Sequence, residues 1–296
     1  MDSIVIAAAV RTPIGAFQGA LSGASAAELG AAAIRAVVAR ARVAPQQVDE
    51  VLMGCVLQAG QGQAPARQAA LLAGLPASAC CTTVHKVCGS AMQAVMLAHD
   101  GILAGSYALA VAGGMESMSK APYLLPKARS GMRLGHGQVL DHMFLDGLED
   151  AYAPDTRGRL MGTFAEDCAS EYGFTRAAQD AYAIRSTQRA QQAGSDGSFD
   201  WELAPVEVAS RKGVTRVERD EGPLAVDIAR IPGLKPAFRE GGTVTAANAS
   251  SIADGAAALL LMRASHAASL GLRPLARIVG HATHAGTPAR FPVAPV

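Results

Sequence analysis

The stretch CCTTVHKVCGSAMQAVMLAHDGILAGSYALAVAGG, residues 80–114, changes its periodicity twice. Cys80–Val84 is a short β-prone run. From Cys88 to Leu103 the apolar residues fall at 88, 91, 92, 95, 98, 102 and 103, the spacing of one helical face. Tyr107–Ala112 is then continuously apolar, as in a strand buried on both faces, and Gly113-Gly114 predicts its end. Strand, turn, helix and strand in this succession form the repeating unit of a parallel sheet.

The same alternation extends outward. Upstream, Ile4–Val10 is an apolar run ended by Arg11-Thr-Pro13. Ser25-Ala-Ala-Glu28 has the form of a capping box, predicting a helix to about Arg42 that Pro45 stops. Val51–Val56 predicts a strand, and Ala64–Ala73 a helix closed by Gly74. Downstream of Met115 the character changes, and the segment to Arg159 is rich in Gly, Pro, His and Met without a sustained period. Thr163-x-x-Glu166 predicts the start of a helix ending at Gly173, and Thr175 the start of another ending near Gly194. A polar stretch follows to Glu240, after which Thr243–Ala247 and Ala256–Met262 predict strands. The expected fold is a layered α/β domain with a mixed, largely parallel sheet. Its expected parts are residues 1–118 with 243–271, split by an inserted domain over 119–242.

Of the 296 residues, 50% are hydrophobic and 17% charged, enough for a sizeable core and unlike a disordered chain. Lysine and arginine number 26 against 25 acidic residues, without a basic block, so no nucleic-acid or polybasic membrane surface is expected. The purest apolar runs, Ile4–Val10 and Ala256–Met262, fall well short of the roughly 20 residues of a spanning helix. Asp2 stands where a signal peptide carries positive charge. Five cysteines, an odd number without a C-x-x-C pair, fit a reducing compartment, so a cytoplasmic protein without metal is expected.

Within Thr82-Thr-Val-His-Lys-Val-Cys88-Gly-Ser-Ala91, a cysteine falls where a strand has ended and a helix begins. Unpaired N–H groups and the positive end of the helix dipole favour thiolate over thiol there. Position alone leaves two readings open, a reactive thiol and a small residue buried at a helix start.

Several blocks then match one family in order. Val84-His-Lys-Val-Cys-Gly-Ser90 resembles the nucleophile motif of thiolases, and Val10-Arg-Thr-Pro-Ile-Gly-Ala-Phe17 resembles their opening. Ala112-Gly-Gly-Met-Glu-Ser-Met118, Gly135-His-Gly137, Asp141-His-Met-Phe-Leu-Asp-Gly-Leu148 and Met161-Gly-Thr-Phe-Ala-Glu166 continue the likeness. So do Gly242-Thr-Val-Thr-Ala-Ala-Asn-Ala-Ser250 and Asp254-Gly-Ala-Ala-Ala258. His85-Lys-Val-Cys88 points to the short-chain branch of the family, and Ala91 stands where glycine is commoner.

The resemblance implies a thiolase-like layered fold, its N-terminal half complete and its C-terminal half only begun, as a separate beginning over 272–296, with an inserted loop domain. It implies Cys88 as the nucleophile that takes the acyl group in a Claisen exchange between two acetyl-CoA and acetoacetyl-CoA. The substrates would be acyl-CoA and coenzyme A, without a separate cofactor, and the assembly a homotetramer joined through the loop domain. Leu148, Met161 and Ser250 match positions lining the CoA channel. Read without the resemblance, Leu148 and Met161 pass as core residues and Ser250 as a turn or cap hydroxyl. His85, three residues before Cys88, is not implied as its base. In thiolases the activating histidine and the acid/base cysteine lie in Gly-His-Pro and Cys-Gly-Gly blocks, which do not occur here, nor does Asn-Glu-Ala. A non-catalytic product that oligomerises or binds CoA weakly is therefore a second reading. A ketoacyl-synthase-type condensing enzyme is a third, disfavoured by the Met-Glu-Ser and Asn-Ala-Ser blocks.

Overall fold

The computed structural model describes residues 2–211 and 213–296, in two compact units. The first comprises Met1–Ala121, Phe199–Glu221 and Ala253–His281. Its opening elements are β1 (Ile4–Arg11), β2 (Gly15–Ala16), α1 (Ala26–Ala41), β3 (Glu50–Gly54) and α2 (Pro65–Leu72). They continue with β4 (Cys80–Val84), α3 (Ser90–Ala104) and β5 (Leu109–Ser117). The second unit comprises Pro122–Ser198, Gly222–Ile252 and Ala282–Val296. It holds β6 (Tyr123–Leu124), β7 (Leu140–Asp141), α4 (Met161–Glu171) and α5 (Arg176–Ser195). The hairpin of β8 (Val206–Ser210) and β9 (Gly213–Val217) belongs to the first unit, and the short α6 (Gly222–Ala225) to the second. The first unit closes with β10 (Ala253–Arg263), α7 (Ala264–Ser269) and β11 (Ala276–Arg277).

The main sheet runs β11-β1-β10-β5-β3-β4, with β2 paired to the start of β10. β3 is parallel to both β4 and β5, whereas β10 is antiparallel to both β1 and β5. Alternation explains why these strands read as unbroken apolar runs. Val51, Met53, Leu109, Val111, Leu260 and Met262 join the cluster containing α1 and α2. Leu52, Ala110, Ala112 and Leu261 join the opposite cluster with Ala94, Ala98 and Ile102 of α3. Each fully buried Leu or Ile there contributes roughly 1.5–3 kcal/mol relative to exposure.

α1 begins at the expected box: the Ser25 side chain accepts from the Glu28 amide, and Glu28 returns a carboxylate to the Ser25 amide. Val87–Ala104 is apolar enough, at a mean hydropathy of 1.2, to pass for a membrane span by composition. Its helix, however, is 15 residues long, about 22 Å, and lays Ala94, Ala98 and Ile102 on the sheet.

Several expectations need correction. Gly113-Gly114 does not end its strand, for β5 runs on to Ser117 in register with β10. Both positions lack room for a side chain. A Cβ on Gly113 would lie 2.0 Å from the Ala257 carbonyl oxygen, and one on Gly114 2.8 Å from the Ala91 Cβ. Thr243–Ala247 forms no strand; its first amides, of Thr243 and Val244, donate instead to the Glu166 carboxylate.

Glu166 is therefore not the partner of a Thr163 cap. α4 starts at Met161, and the Thr163 hydroxyl donates back to the Leu160 carbonyl. The polar stretch after Ser195 contains the β8–β9 hairpin, whose Val206, Val208 and Val217 are buried in the core of the first unit. Phe199–Glu221 thus returns to that unit rather than to the expected insertion, held by Arg11, which pairs with Glu202 at 2.5 Å and Asp220 at 2.7 Å. Ala276–Arg277, placed in a separate beginning, pairs with β1.

Candidate active site

In a sheet with parallel strands, ligands bind beyond the carboxyl ends of those strands. Here β3 and β4 end at Gly54 and Val84, which the parallel registers place beside each other and beside Gly114 of β5. The five residues from His85 to Gly89 leave β4 at that edge and turn into α3. Cys88 was expected in the first turn of the helix. It lies one residue before the N-cap, Gly89, and is exposed.

The turn is tight and internally bonded. Val87 has φ +46°, a left-handed conformation that a β-branched residue rarely adopts. Ser90, only 4% exposed, holds it there. Its hydroxyl accepts the Lys86 amide at 2.8 Å and donates to the Val87 carbonyl at 2.6 Å. The Gly89 and Ser90 amides close onto the Lys86 and Val87 carbonyls at 3.0 and 3.1 Å. Cys88 is thus presented on a short, pinned corner at the positive end of α3. His85 is turned back on its own turn, where Nδ1 accepts from the Val87 amide at 3.2 Å. Lys86 reaches along the helix to Gln93 Oε1 at 2.9 Å.

Glycines bring α3 down onto the strand ends. A Cβ on Gly54 would meet the Ala91 amide nitrogen at 2.6 Å, so the first helical turn rests directly on β3 as well as on Gly114. Near the end of β5, the Glu116 carboxylate accepts the amides of Val56 at 2.8 Å and Leu57 at 3.2 Å, fixing the loop after β3. Cys55, just before them in the loop, is buried, and desolvation, with Glu116 nearby, pushes its thiol up to about 12. Cys55 is a structural thiol and Cys88 an accessible one. Cys80 is also exposed, at the opposite, amino end of β4, while Cys81 and Cys168 are half-buried.

The other candidates belong to the second unit. Leu148 ends a π-helical turn, Phe144–Leu148, and Met161 opens α4. A bridge between Glu149 and Leu160 closes the intervening loop, so these two half-buried side chains stand at its two ends. Asp150 is buried inside the loop and accepts the Thr156 hydroxyl at 2.6 Å. Ser250 is exposed and follows a turn in which Asn248 Oδ1 accepts the Thr245 amide at 2.7 Å. That turn is tied to α4 through Glu166, 1% exposed, which takes the Thr243 and Val244 amides at 2.8–2.9 Å. The sequence reading did not single out Ser90, Gly54 or Gly114 as positioning residues. A serine two residues after the cysteine and glycines at two parallel strand ends were the available signals.

The family model "Thiolase, N-terminal domain" matches residues 4–265. The chain is 51% identical to the acetyl-CoA acetyltransferase of Escherichia coli, covering 100% of this chain and 75% of that protein. It is 49% identical to acetyl-CoA acetyltransferase 1 of Arabidopsis thaliana, covering 99% of this chain and 70% of that one. Among solved structures, the acetyl-CoA acetyltransferase of Bacillus anthracis superposes with a TM-score of 0.93 at 40% identity, covering 98% of this chain and 73% of that chain.

Proposed function

The chain belongs to the thiolase family, and from that premise we infer that it is an acetyl-CoA C-acetyltransferase. The observation that carries this reading is the identity of about half of all residues, along the whole chain, to enzymes bearing that name. The reaction joins two acetyl-CoA into acetoacetyl-CoA and free CoA, or runs in reverse.

Cys88 is the proposed nucleophile, supported by its exposure and by the pinned corner at the head of α3. In thiolysis its thiolate adds to the 3-keto carbon of acetoacetyl-CoA. The bond between C2 and C3 breaks, the electron pair leaves on C2 as an enolate, and a proton completes acetyl-CoA. The acetyl group stays on sulfur until the thiol of CoA displaces it and regenerates Cys88. Covalent catalysis thus replaces one hard displacement with two easier steps. The Cys88 amide, at the positive end of α3, is the proposed donor to the oxyanion formed at the attacked carbonyl, since the Gly89 and Ser90 amides are already bonded to the Lys86 and Val87 carbonyls. Leu148, Met161 and Ser250 are proposed to line the path of the pantetheine arm. Two half-buried apolar side chains and an exposed hydroxyl without a hydrogen bond among the described residues suit that role.

The same reading proposes a cytoplasmic enzyme of fatty-acid metabolism that needs no cofactor beyond its CoA substrates. All five cysteines being free thiols supports the compartment. A homotetramer joined through the loop domain is the proposed assembly, to be checked by light scattering of the whole chain.

The test of the mechanism is acyl transfer to the chain itself. Incubation with acetoacetyl-CoA should leave one acetyl group, mapped by mass spectrometry to Cys88 and lost in Cys88→Ala. An adduct on another cysteine, or none, would overturn the assignment.

A further inference from the structure

Cysteine spacing gave no reason to expect a metal, but three other side chains meet on the first unit. His99 and Asp100 sit near the end of α3, and His281 follows β11 by four residues. Asp100 Oδ1 lies 2.9 Å from His99 Nδ1 and 2.9 Å from His281 Nε2. One donor atom from each residue falls within 4.8 Å of the others. The two rings stand edge to face with centroids 5.0 Å apart.

The placement of His281 is not accidental to a loose tail. The Leu275 amide donates to Ile6 and the Ile278 amide to Ile4, continuing the pairing of β11 along β1. Ile278 also packs into the cluster beneath α3. Those anchors deliver the next residues to the helix, where His281 and His99 keep 25% and 15% of their side-chain surface exposed and Asp100 keeps 58%.

We propose that His99, Asp100 and His281 form a binding site for a divalent first-row transition-metal ion such as zinc. Two imidazoles and one carboxylate are ligands these ions favour, and waters complete the shell. Tetrahedral ligands bonded at about 2.0 Å stand roughly 3.3 Å from one another. The two 2.9 Å separations therefore need to open by a few tenths of an ångström, while the two imidazole nitrogens, which lie within 4.8 Å of each other, close toward the same spacing. His99 lies about 14 Å along the helix from Ser90. The ion is therefore structural: it fastens α3 to the chain that follows β11 and does not touch the chemistry at Cys88.

The test begins with the whole chain stripped by EDTA and titrated with Zn2+ by calorimetry and with Co2+ by visible absorption. One ion should bind per chain, without a thiolate-to-cobalt charge-transfer band, and raise Tm by binding only the folded state. Asp100→Asn and His281→Gln should each weaken binding by no less than the roughly 10–100-fold that loss of an outer-sphere partner costs. Melting in metal-free buffer checks that both variants fold. Absence of stoichiometric binding, a thiolate band, or affinity unchanged in both variants would overturn the proposal.

Discussion

Replacing Ser90 by alanine should loosen the corner that presents Cys88. The Ser90 hydroxyl makes two hydrogen bonds there. Its loss leaves the part-buried Lys86 amide without an acceptor, a cost of about 1–3 kcal/mol. The Val87 carbonyl fares better, because the Ser90 amide still donates to it at 3.1 Å. That bond loss is worth about 1 kcal/mol or less. Relaxation of Val87 out of its left-handed conformation returns part of the roughly 1–2 kcal/mol that the conformation costs. The balance is a destabilisation of about 2 kcal/mol, or roughly 4–8 °C in Tm. Urea unfolding followed through Trp201, the sole tryptophan, measures it. Relaxation also moves Cys88, and a displacement near 1 Å can cost about 100-fold in rate. Acetyl transfer to Cys88 should therefore slow by about 10–100-fold. Val87→Gly should act oppositely on stability, raising it by about 0.5–1 kcal/mol, because glycine enters the left-handed region freely. A Ser90→Ala chain within about 0.5 kcal/mol of the parent, with unchanged acylation, would refute the reasoning.

Cys55 should resist iodoacetamide at neutral pH while Cys88 reacts. Mass-spectrometric mapping that finds Cys55 labelled first would contradict its burial. The Cys55 thiol lies at about 12 in the folded protein and near its ordinary value of 9.0 once unfolded. Between those values the unfolded state alone loses the proton, so this group makes stability fall as pH rises; Cys55→Ala should flatten that part of the profile. Arg11→Ala leaves Glu202 without its cation and Asp220 with only the Ile14 amide, and should cost about 2–3 kcal/mol, with faster hydrogen exchange across Val206–Val217. Glu166→Ala orphans two amides and should cost about 3 kcal/mol, opening residues 243–250 to limited proteolysis. Glu166→Gln keeps one acceptor oxygen and should lose less.

Local signals in the sequence were sound wherever the partner was local. The Ser25–Glu28 box and the Thr175 cap depend on neighbours a few residues away, and both helices form; the runs of β1, β4 and β10 also form strands, although their partners are distant, because the run of side chains is itself the signal. Errors came from long-range partners. Glu166 stands three residues after a threonine, as in a cap, but its carboxylate serves amides 77 and 78 residues later. Thr243–Ala247 has β-branched residues but finds no strand to pair with. Gly113-Gly114 reads as a break because nothing local reveals that Ala91 and Ala257 occupy the space of their side chains. At the candidate site the cysteine was legible from its motif, and the clamp was not, since a buried serine hydroxyl looks like any other serine. The β8–β9 hairpin carried a signal, Val206-x-Val208 before Gly213, but surrounding charges masked it.

The position of β10 in the sheet also sets a timetable for synthesis. It lies between β1 and β5 and pairs with both, yet it leaves the ribosome about 136 residues after β5 is finished. At about 5–20 residues per second that interval lasts roughly 7–27 s. Throughout it, Ile4–Arg11 and Leu109–Ser117 each keep an unpaired, strongly apolar edge facing the gap, and such edges pair readily with other chains. α1 can cover a face of these strands meanwhile, but not the gap itself. Slow codons between Ser117 and Ala253 therefore lengthen the exposure without altering a residue. Their cost would appear as aggregated nascent chains, recovered when a chaperone holds the gap open until Arg263 has been made.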